Sequence, residues 1–336
     1  MSKTLPKQMD IIATLGPASF SEPAMEKLVQ AGASIFRING AQAEVDLIES
    51  SIQKIRRSLG TRVKILLDLP GNKVRLRGLP ENLCLKIGDE IELARHQVNY
   101  DGFFKLLKVG ETLLTNDGLT RLEVIRVQNG EKALLRCLSE GEFKNKRGLH
   151  TSRSHPLPFL FDKDRELLKL SRRCGLDYLG LSFVRTHEDV LSVQEFLSGS
   201  GVKKFVKIET WEAVENLDAI LFHSDQILID RGDLCAAIPY TTLPAVQEAI
   251  MKKARAAGVK VALATQFLYS MVTRNTPLIS EIEALYGAIA AGTDAIQLSE
   301  ETSIGRYPVE AVRVVAAIRE EVYGRQASEK KTFVYE

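Results

Sequence analysis

Eight short, β-branched apolar runs alternate with longer amphipathic segments along this chain, and that rhythm does most to restrict how it folds. The runs are Asp10–Leu15, Ser34–Ile38, Val63–Leu69, Tyr178–Phe183, Lys204–Glu209, Gln226–Ile229, Val259–Thr265 and Ala295–Ser299. Continuous apolar runs of this length suit parallel strands buried on both faces. Between them, Glu22–Gln30 places Met25, Leu28 and Val29 at helical spacing. Asp46–Ser58 does the same with Leu47, Ile48, Ile52 and Ile55. Lys163–Arg173, Asp189–Leu197, Leu243–Ala257, Ile279–Ala291 and Pro308–Val322 follow the same pattern, several closed by glycine. Eight strands alternating with helices over 336 residues predict the α/β class, as a closed (β/α)8 TIM barrel rather than an open sheet.

One stretch breaks the rhythm. From Gly71 to about Pro156 the pattern turns to short alternating runs with glycine turns. Two strand-like runs flank Asn129-Gly130, a hairpin signal. A small all-β domain inserted after strand 3 accounts for this. The expected domains are therefore 1–70 with 157–336 as the barrel and 71–156 as the insert.

Composition excludes several classes. Apolar residues at 45% and charged residues at 26% describe an ordinary globular protein. A formal net charge of +2, with both signs mixed along the chain, argues against nucleic acid or an anionic membrane as partner. The polar start, MSKTLPKQMD, lacks a signal-peptide core, and no run reaches membrane-spanning length. Cys84, Cys137, Cys174 and Cys235 form no CxxC pair, and the histidines have no metal spacing. A reduced, cytoplasmic compartment is the expectation. Tyr178, Phe183, Trp211, Phe159 and Phe161 read as core rather than as a cofactor platform.

In such barrels the chemistry sits at the carboxyl ends of the strands. The fifth run ends Val206-Lys207-Ile208-Glu209, and alternation puts Lys207 and Glu209 on one side. The sixth continues Asp230-Arg231-Gly232-Asp233-Leu234. Carboxylates from neighbouring strand ends form an open oxygen site of the kind Mg²⁺ takes. The Arg-Gly-Asp-Leu turn offers backbone N–H groups to an anion. Lys207 is placed to neutralise charge on a transferring phosphoryl group or an enolate. The seventh and eighth runs end in the hydroxyls of Thr265 and Ser299. By themselves a lysine and two acids are equally well a structural salt bridge.

Several segments together resemble the pyruvate kinase family along nearly the whole chain: Ala13-Thr14-Leu15-Gly16-Pro17-Ala18-Ser19, Phe36-Arg37-Ile38-Asn39, Leu67-Asp68, Asn116-Asp117-Gly118-Leu119 and Ser182-Phe183-Val184-Arg185. The most specific are Lys207-Ile208-Glu209, Arg231-Gly232-Asp233-Leu234 with Ile238-Pro239, Ala264-Thr265-Gln266, and Leu298-Ser299 with Glu301-Thr302. The resemblance implies a barrel with a β-barrel lid and a phosphoenolpyruvate/pyruvate site worked with ADP/ATP. It implies that Glu209 and Asp233 bind Mg²⁺ (or Mn²⁺). Lys207 and Arg37 would act on the phosphoryl group, Gly232, Asp233 and Ser182 on the substrate, and Thr265 and Ser299 on the proton. Asn39, Arg75 and Arg147, with Lys146 beside it, would place the nucleotide. Asn39 and Asp68 can instead cap loops, Ser299 can back-bond to its own chain, and Lys146 and Arg147 can be plain solvated charges.

The chain also departs from the family pattern. The family's Asn-Phe-Ser-His is here Asn39-Gly40-Ala41-Gln42, and its Asp-Thr-Lys-Gly-Pro-Glu is Asp68-Leu69-Pro70-Gly71-Asn72-Lys73. Two K⁺ ligands are thereby lost, and Lys73 stands where an ammonium can replace the cation, so K⁺ is not expected to be required. The tip of the insert reads Gly148-Leu149-His150-Thr151-Ser152-Arg153, and Pro277-Leu278-Ile279-Ser280-Glu281 lacks a family arginine that braces a neighbouring subunit. The chain stops shortly after the eighth barrel helix. The expectation is an unregulated enzyme, a homo-oligomer if any but not the family tetramer. Two alternatives stay open: Mg²⁺-dependent enolate chemistry (a lyase or decarboxylase) on pyruvate or oxaloacetate, and a non-catalytic metabolite-binding paralogue.

Overall fold

The structure is a computed structural model that describes residues 9–80, 83–115, 120–151 and 156–332, with side chains to 325. Of the residues singled out above, Asn116, Asp117, Gly118, Leu119, Ser152 and Arg153 lie outside the described residues, as does the polar start before Met9. The chain divides into two compact units, Met1–Pro70 with Lys163–Glu336, and Gly71–Asp162. No helix among the described residues is long and apolar enough to cross a membrane.

In the first unit the eight runs become the strands β1 (Asp10–Thr14), β2 (Ile35–Asn39), β3 (Lys64–Asp68), β4 (Tyr178–Leu181), β5 (Lys203–Ile208), β6 (Gln226–Asp230), β7 (Lys260–Ala264) and β8 (Ala295–Leu298). Each pairs in parallel with its neighbours, and β1 pairs with β8 to close the barrel. Alternation along each strand sends every second side chain inward. Ile12, Ile35, Leu66, Tyr178, Phe205, Leu228, Ala262 and Ala295 form one apolar interior layer from all eight strands. Full burial of each large member is worth ~1.5–3 kcal/mol, so this layer holds the barrel shut.

The helices cover the outside because each carries one apolar stripe. Glu22–Gln30 starts at Ser21, whose hydroxyl accepts from the Ala24 N–H, and it buries Met25 and Leu28. Val45–Leu59 buries Ile48, Ile52, Ile55 and Leu59, and stops at Gly60, where φ is +59°. The helical segment expected over Asp189–Leu197 is instead two short helices, His187–Leu191 and Gln194–Leu197. The last helix, Pro308–Thr332, is longer than its periodicity predicts. From it, Arg319 Nη1 donates to the Met9 carbonyl at 3.0 Å and the Tyr323 hydroxyl accepts from the Met9 N–H at 3.2 Å, fixing the start of β1. Trp211, expected in the core, is 43% exposed at the first position of the helix Trp211–Glu215. Its neighbour Ala213 takes the buried position instead.

The second unit holds a five-stranded antiparallel sheet and a two-stranded one. Asn129 and Gly130 both have positive φ, 51° and 67°, as a type I′ turn requires, and join the paired strands Thr120–Gln128 and Lys132–Cys137. Its own core includes Phe103, Phe104, Leu113, Leu122, Leu135 and Phe143. Leu157 packs on that core and Phe161 stacks on Tyr100 at 4.8 Å, which is why the unit runs on to Asp162.

Candidate active site

Two residues beyond the apolar layer, the same inward period brings polar groups into the barrel. Thr14, Arg37, Asp68, Lys207, Asp230 and Gln297 occupy these positions, and all are buried. A charged layer inside a barrel is costly unless its members pair. Arg37 Nε donates to Asp68 Oδ2 at 2.7 Å, and Arg37 Nη1 donates to the Thr14 hydroxyl at 3.1 Å. Lys207 Nζ lies 2.5 Å from Glu209 Oε1, 3.5 Å from Asp68 Oδ2 and 3.6 Å from Asp230 Oδ2. It also donates to the Ser182 hydroxyl at 3.4 Å. Burial by itself would push the Lys207 ammonium down, but the carboxylates of Glu209, Asp68 and Asp230 overcome it and hold the pKa above the usual lysine value.

Glu209, Asp230 and Asp233 present carboxylate oxygens within 4.8 Å of one another. Together with Asp68 they set four carboxylates against the two cations Arg37 and Lys207. A cluster of hard carboxylate oxygens of this kind suits a divalent cation such as Mg²⁺. Burial raises the Glu209 pKa; Lys207 opposes that, Asp233 and Asp230 add to it, and the result is about 7. The other Glu209 oxygen, Oε2, accepts from the Phe183 N–H at 2.8 Å.

Backbone strain gathers at the strand ends. Phe183, Thr265 and Gln266 have φ of 55°, 70° and 55°, values that a residue with a Cβ adopts only where its surroundings compel it. Arg231 supplies much of that compulsion around Thr265. Its Nε donates to the Ala264 carbonyl at 3.1 Å, its Nη2 donates to the Thr265 carbonyl, and its guanidinium lies 3.8 Å over the Phe267 ring. Burial lowers its pKa to about 10, so it stays cationic at neutral pH. Lysine has no planar fork. Arg231→Lys is expected to cost about 1–3 kcal/mol in urea unfolding, through the lost charged hydrogen bonds; an unchanged unfolding midpoint would remove this role.

The sequence-derived residues fall into two groups. Arg37, Asn39, Ser182, Lys207, Glu209, Gly232, Asp233, Thr265 and Ser299 all stand at carboxyl ends of strands in the first unit. Asp233 lies in the first turn of the helix Arg231–Ala237, with its N–H 3.5 Å from Asp230 Oδ1. The Gly232 N–H is taken by the Thr265 hydroxyl at 2.9 Å, and that hydroxyl donates to the Ala264 carbonyl at 2.6 Å. Asn39 Oδ1 accepts from the Ala41 N–H at 3.0 Å, which is the loop-capping use. The Ser299 N–H donates to buried Glu301 at 2.7 Å. Lys73, Arg75 and Arg147 belong to the second unit. There Arg75 bridges Gly148, the Arg147 carbonyl accepts from the Leu76 N–H, and the Lys73 stem crosses Gly148. Sequence reasoning missed Asp230 as a member of the acidic set and Asp68 as the partner of both cations. Period-two alternation, extended from Leu228 and Leu66, carries the signal for both.

A closed parallel barrel that sets clustered carboxylates, a lysine and an arginine at its strand ends defines a class: (β/α)8 proteins with a charged, oxygen-rich cluster at the carboxyl ends of the strands. Within that class the chain belongs to the pyruvate kinase family, since the model "Pyruvate kinase, barrel domain" matches residues 6–312. A pyruvate kinase of Thermococcus litoralis is 36% identical over 324 residues, covering 92% of this chain and 68% of the relative. One of Bacillus licheniformis is 34% identical over 327 residues, with 92% of this chain aligned to 56% of its length. The crystal structure of Cryptosporidium parvum pyruvate kinase superposes with a TM-score of 0.90 at 27% identity, covering 96% of this chain and 72% of that one. This chain thus spans about half to two thirds of the length of these curated relatives.

Proposed function

We propose that this chain moves the phosphoryl group of phosphoenolpyruvate to ADP, with Mg²⁺ or Mn²⁺ bound, without K⁺ and without regulation. The observation that carries the reading is Lys207, buried and ion-paired beside three clustered carboxylates. In the reaction the phosphorus–oxygen bond to the enol oxygen breaks and a bond to a terminal phosphate oxygen of ADP forms. The enolate is then protonated at its methylene carbon to give pyruvate. Glu209 and Asp233, with Asp230 alongside, would hold the divalent ion, which when bound offsets negative charge on the substrate oxygens.

The remaining steps belong to the chain. Arg37, held edge-on by Asp68 and Thr14, grips the phosphate. Lys207 neutralises the charge that spreads over the phosphoryl oxygens in flight. The N–H groups of Gly232 and Asp233 receive the substrate carboxylate, which displaces the Thr265 hydroxyl from Gly232. Thr265 then stands near the carbon to be protonated, and Ser299 joins the proton path. Ser182 steadies Lys207. The sequence pattern assigns nucleotide phosphates to Arg75 and Arg147 of the second unit and to Asn39 of the first, and it gives Lys73 the charge that K⁺ supplies elsewhere, since Ala41 and Leu69 replace two K⁺ ligands of the family pattern.

The test mixes protein with phosphoenolpyruvate, Mg²⁺ and ADP in a Na⁺ buffer and follows pyruvate. Turnover is expected without K⁺, and added K⁺ or sugar phosphate leaves the rate unchanged. A strong rise on exchanging Na⁺ for K⁺ would remove the role given to Lys73. Pyruvate formation from another enolate-forming substrate without ADP would point to the lyase or decarboxylase reading. Oxalate binding with Mg²⁺ but no turnover would leave a non-catalytic site.

A further inference from the structure

We propose that Gly180 acts, through Asp68, as a positioning residue for the two cations that meet the phosphate. The inference deepens the phosphoenolpyruvate reading of this site and rests on it. Strands β3 and β4 run in register with Gly180 directly opposite Asp68. The Asp68 side chain turns over that glycine so closely that a Cβ at 180 would lie 2.0 Å from Oδ1 and 2.9 Å from Cγ. Gly180 is not among the glycines of positive φ, so the backbone conformation does not require glycine there. A glycine within a strand weakens it, and commonly marks a place where another group approaches closely. The approaching group here is the Asp68 carboxylate.

That posture decides what Asp68 reaches. A single oxygen, Oδ2, accepts from Arg37 Nε at 2.7 Å and lies 3.5 Å from Lys207 Nζ. Arg37 comes from β2 and Lys207 from β5, so this oxygen ties together cations from strands that are not neighbours. Two like charges in a dry interior repel strongly, and a shared counter-ion between them lets both face one anion. The second oxygen, Oδ1, is buried without a hydrogen-bond partner and fills the space beside Gly180. A methyl group at 180 evicts Oδ1, rotates the carboxylate and breaks the shared contact.

The experiment is a double-mutant cycle on the full chain with Gly180→Ala, Asp68→Ala and the double variant, and with Asp68→Asn as the variant of unchanged size. Dissociation constants for phosphoenolpyruvate come from calorimetry, kcat and KM from the pyruvate assay, and midpoints from thermal unfolding. Gly180→Ala is expected to weaken phosphoenolpyruvate binding roughly ten- to hundred-fold, the range for groups that orient a site residue. Asp68→Asn is expected to do the same while unfolding cooperatively. In the Asp68→Ala background, Gly180→Ala should have no further effect, because it acts only through Asp68. Equal weakening in both backgrounds, or binding by Gly180→Ala within about two-fold of the parent, would overturn the proposal and leave the functional reading standing. A parent protein that fails to bind phosphoenolpyruvate overturns the functional reading itself, and this inference with it.

Discussion

Replacing Lys207 by alanine is expected to cut pyruvate release from phosphoenolpyruvate by roughly 10²–10³-fold, the usual worth of one preorganised donor to developing charge. The effect on stability should also be large. Lys207 is 5% exposed and faces Glu209, Asp68 and Asp230. Removing it leaves buried carboxylates without their cation, a change worth about 3–5 kcal/mol. Millimolar Mg²⁺ should restore part of that loss, because the ion brings positive charge to the same centre. Denaturant unfolding with and without Mg²⁺ reads both quantities. A variant that unfolds like the parent and retains activity within about ten-fold would mean that the lysine is merely one of several surface-like charges, against its burial.

The second large effect is the pH dependence of the metal-free protein. Burial first, then the neighbouring Asp233 and Asp230, raise the Glu209 pKa from its ordinary 4.5 to about 7. A raised folded-state value means that the fold binds the proton more tightly than the unfolded chain does. Its stabilising contribution is therefore complete below pH 4.5 and is lost as the pH rises through about 7. Metal-free protein should lose stability between about pH 5 and 8, by roughly 1.4 kcal/mol for each pH unit that separates the folded from the unfolded value. Glu209→Gln should flatten this slope, since the amide cannot ionise. Mg²⁺ requires the carboxylate, so its stabilising effect should grow with pH and level off above about 7. Thermal melts across this range, with chelator or with Mg²⁺, decide the matter: a Mg²⁺ effect that shrinks as pH rises would refute the assignment of Glu209 to the metal.

Much of the architecture was open to inspection in the chain itself. A strand buried on both faces is mostly apolar, and each of the eight runs stands out that way even where a polar residue sits near its end. Glycine ends helices because it accepts a positive φ that other residues resist, as Gly60 does. The hairpin at Asn129-Gly130 follows from the same freedom. Lys207 and Glu209 were legible as a pair because period two puts them on one side of β5. The split of the helical segment after β4 was not legible, since its apolar spacing runs on through the break. Trp211 was misplaced for a related reason: composition favours aromatic burial, yet its place at the start of a short helix leaves it partly in solvent.

What no reading of local pattern reaches is which side chains share an atom across the barrel. Asp68 looks like a loop-capping residue at the end of an apolar run, and Gly180 like a weak spot in another. Closure of the barrel sets these two in register, and only then does the glycine become room for a carboxylate that joins Arg37 to Lys207. Asp230 joined the acidic cluster in the same way, through its distance to Glu209 and Asp233. The strained Thr265, held by Arg231 from the neighbouring strand end, has no local signature either. The sequence by itself determined the strands, their inward faces and the chemical types at their ends, because alternation and hydrophobic burial act over a few residues. The tertiary structure alone decided which of those ends converge and which charges must share a partner. Those distances arise from closing eight strands, far apart in the chain, into one ring.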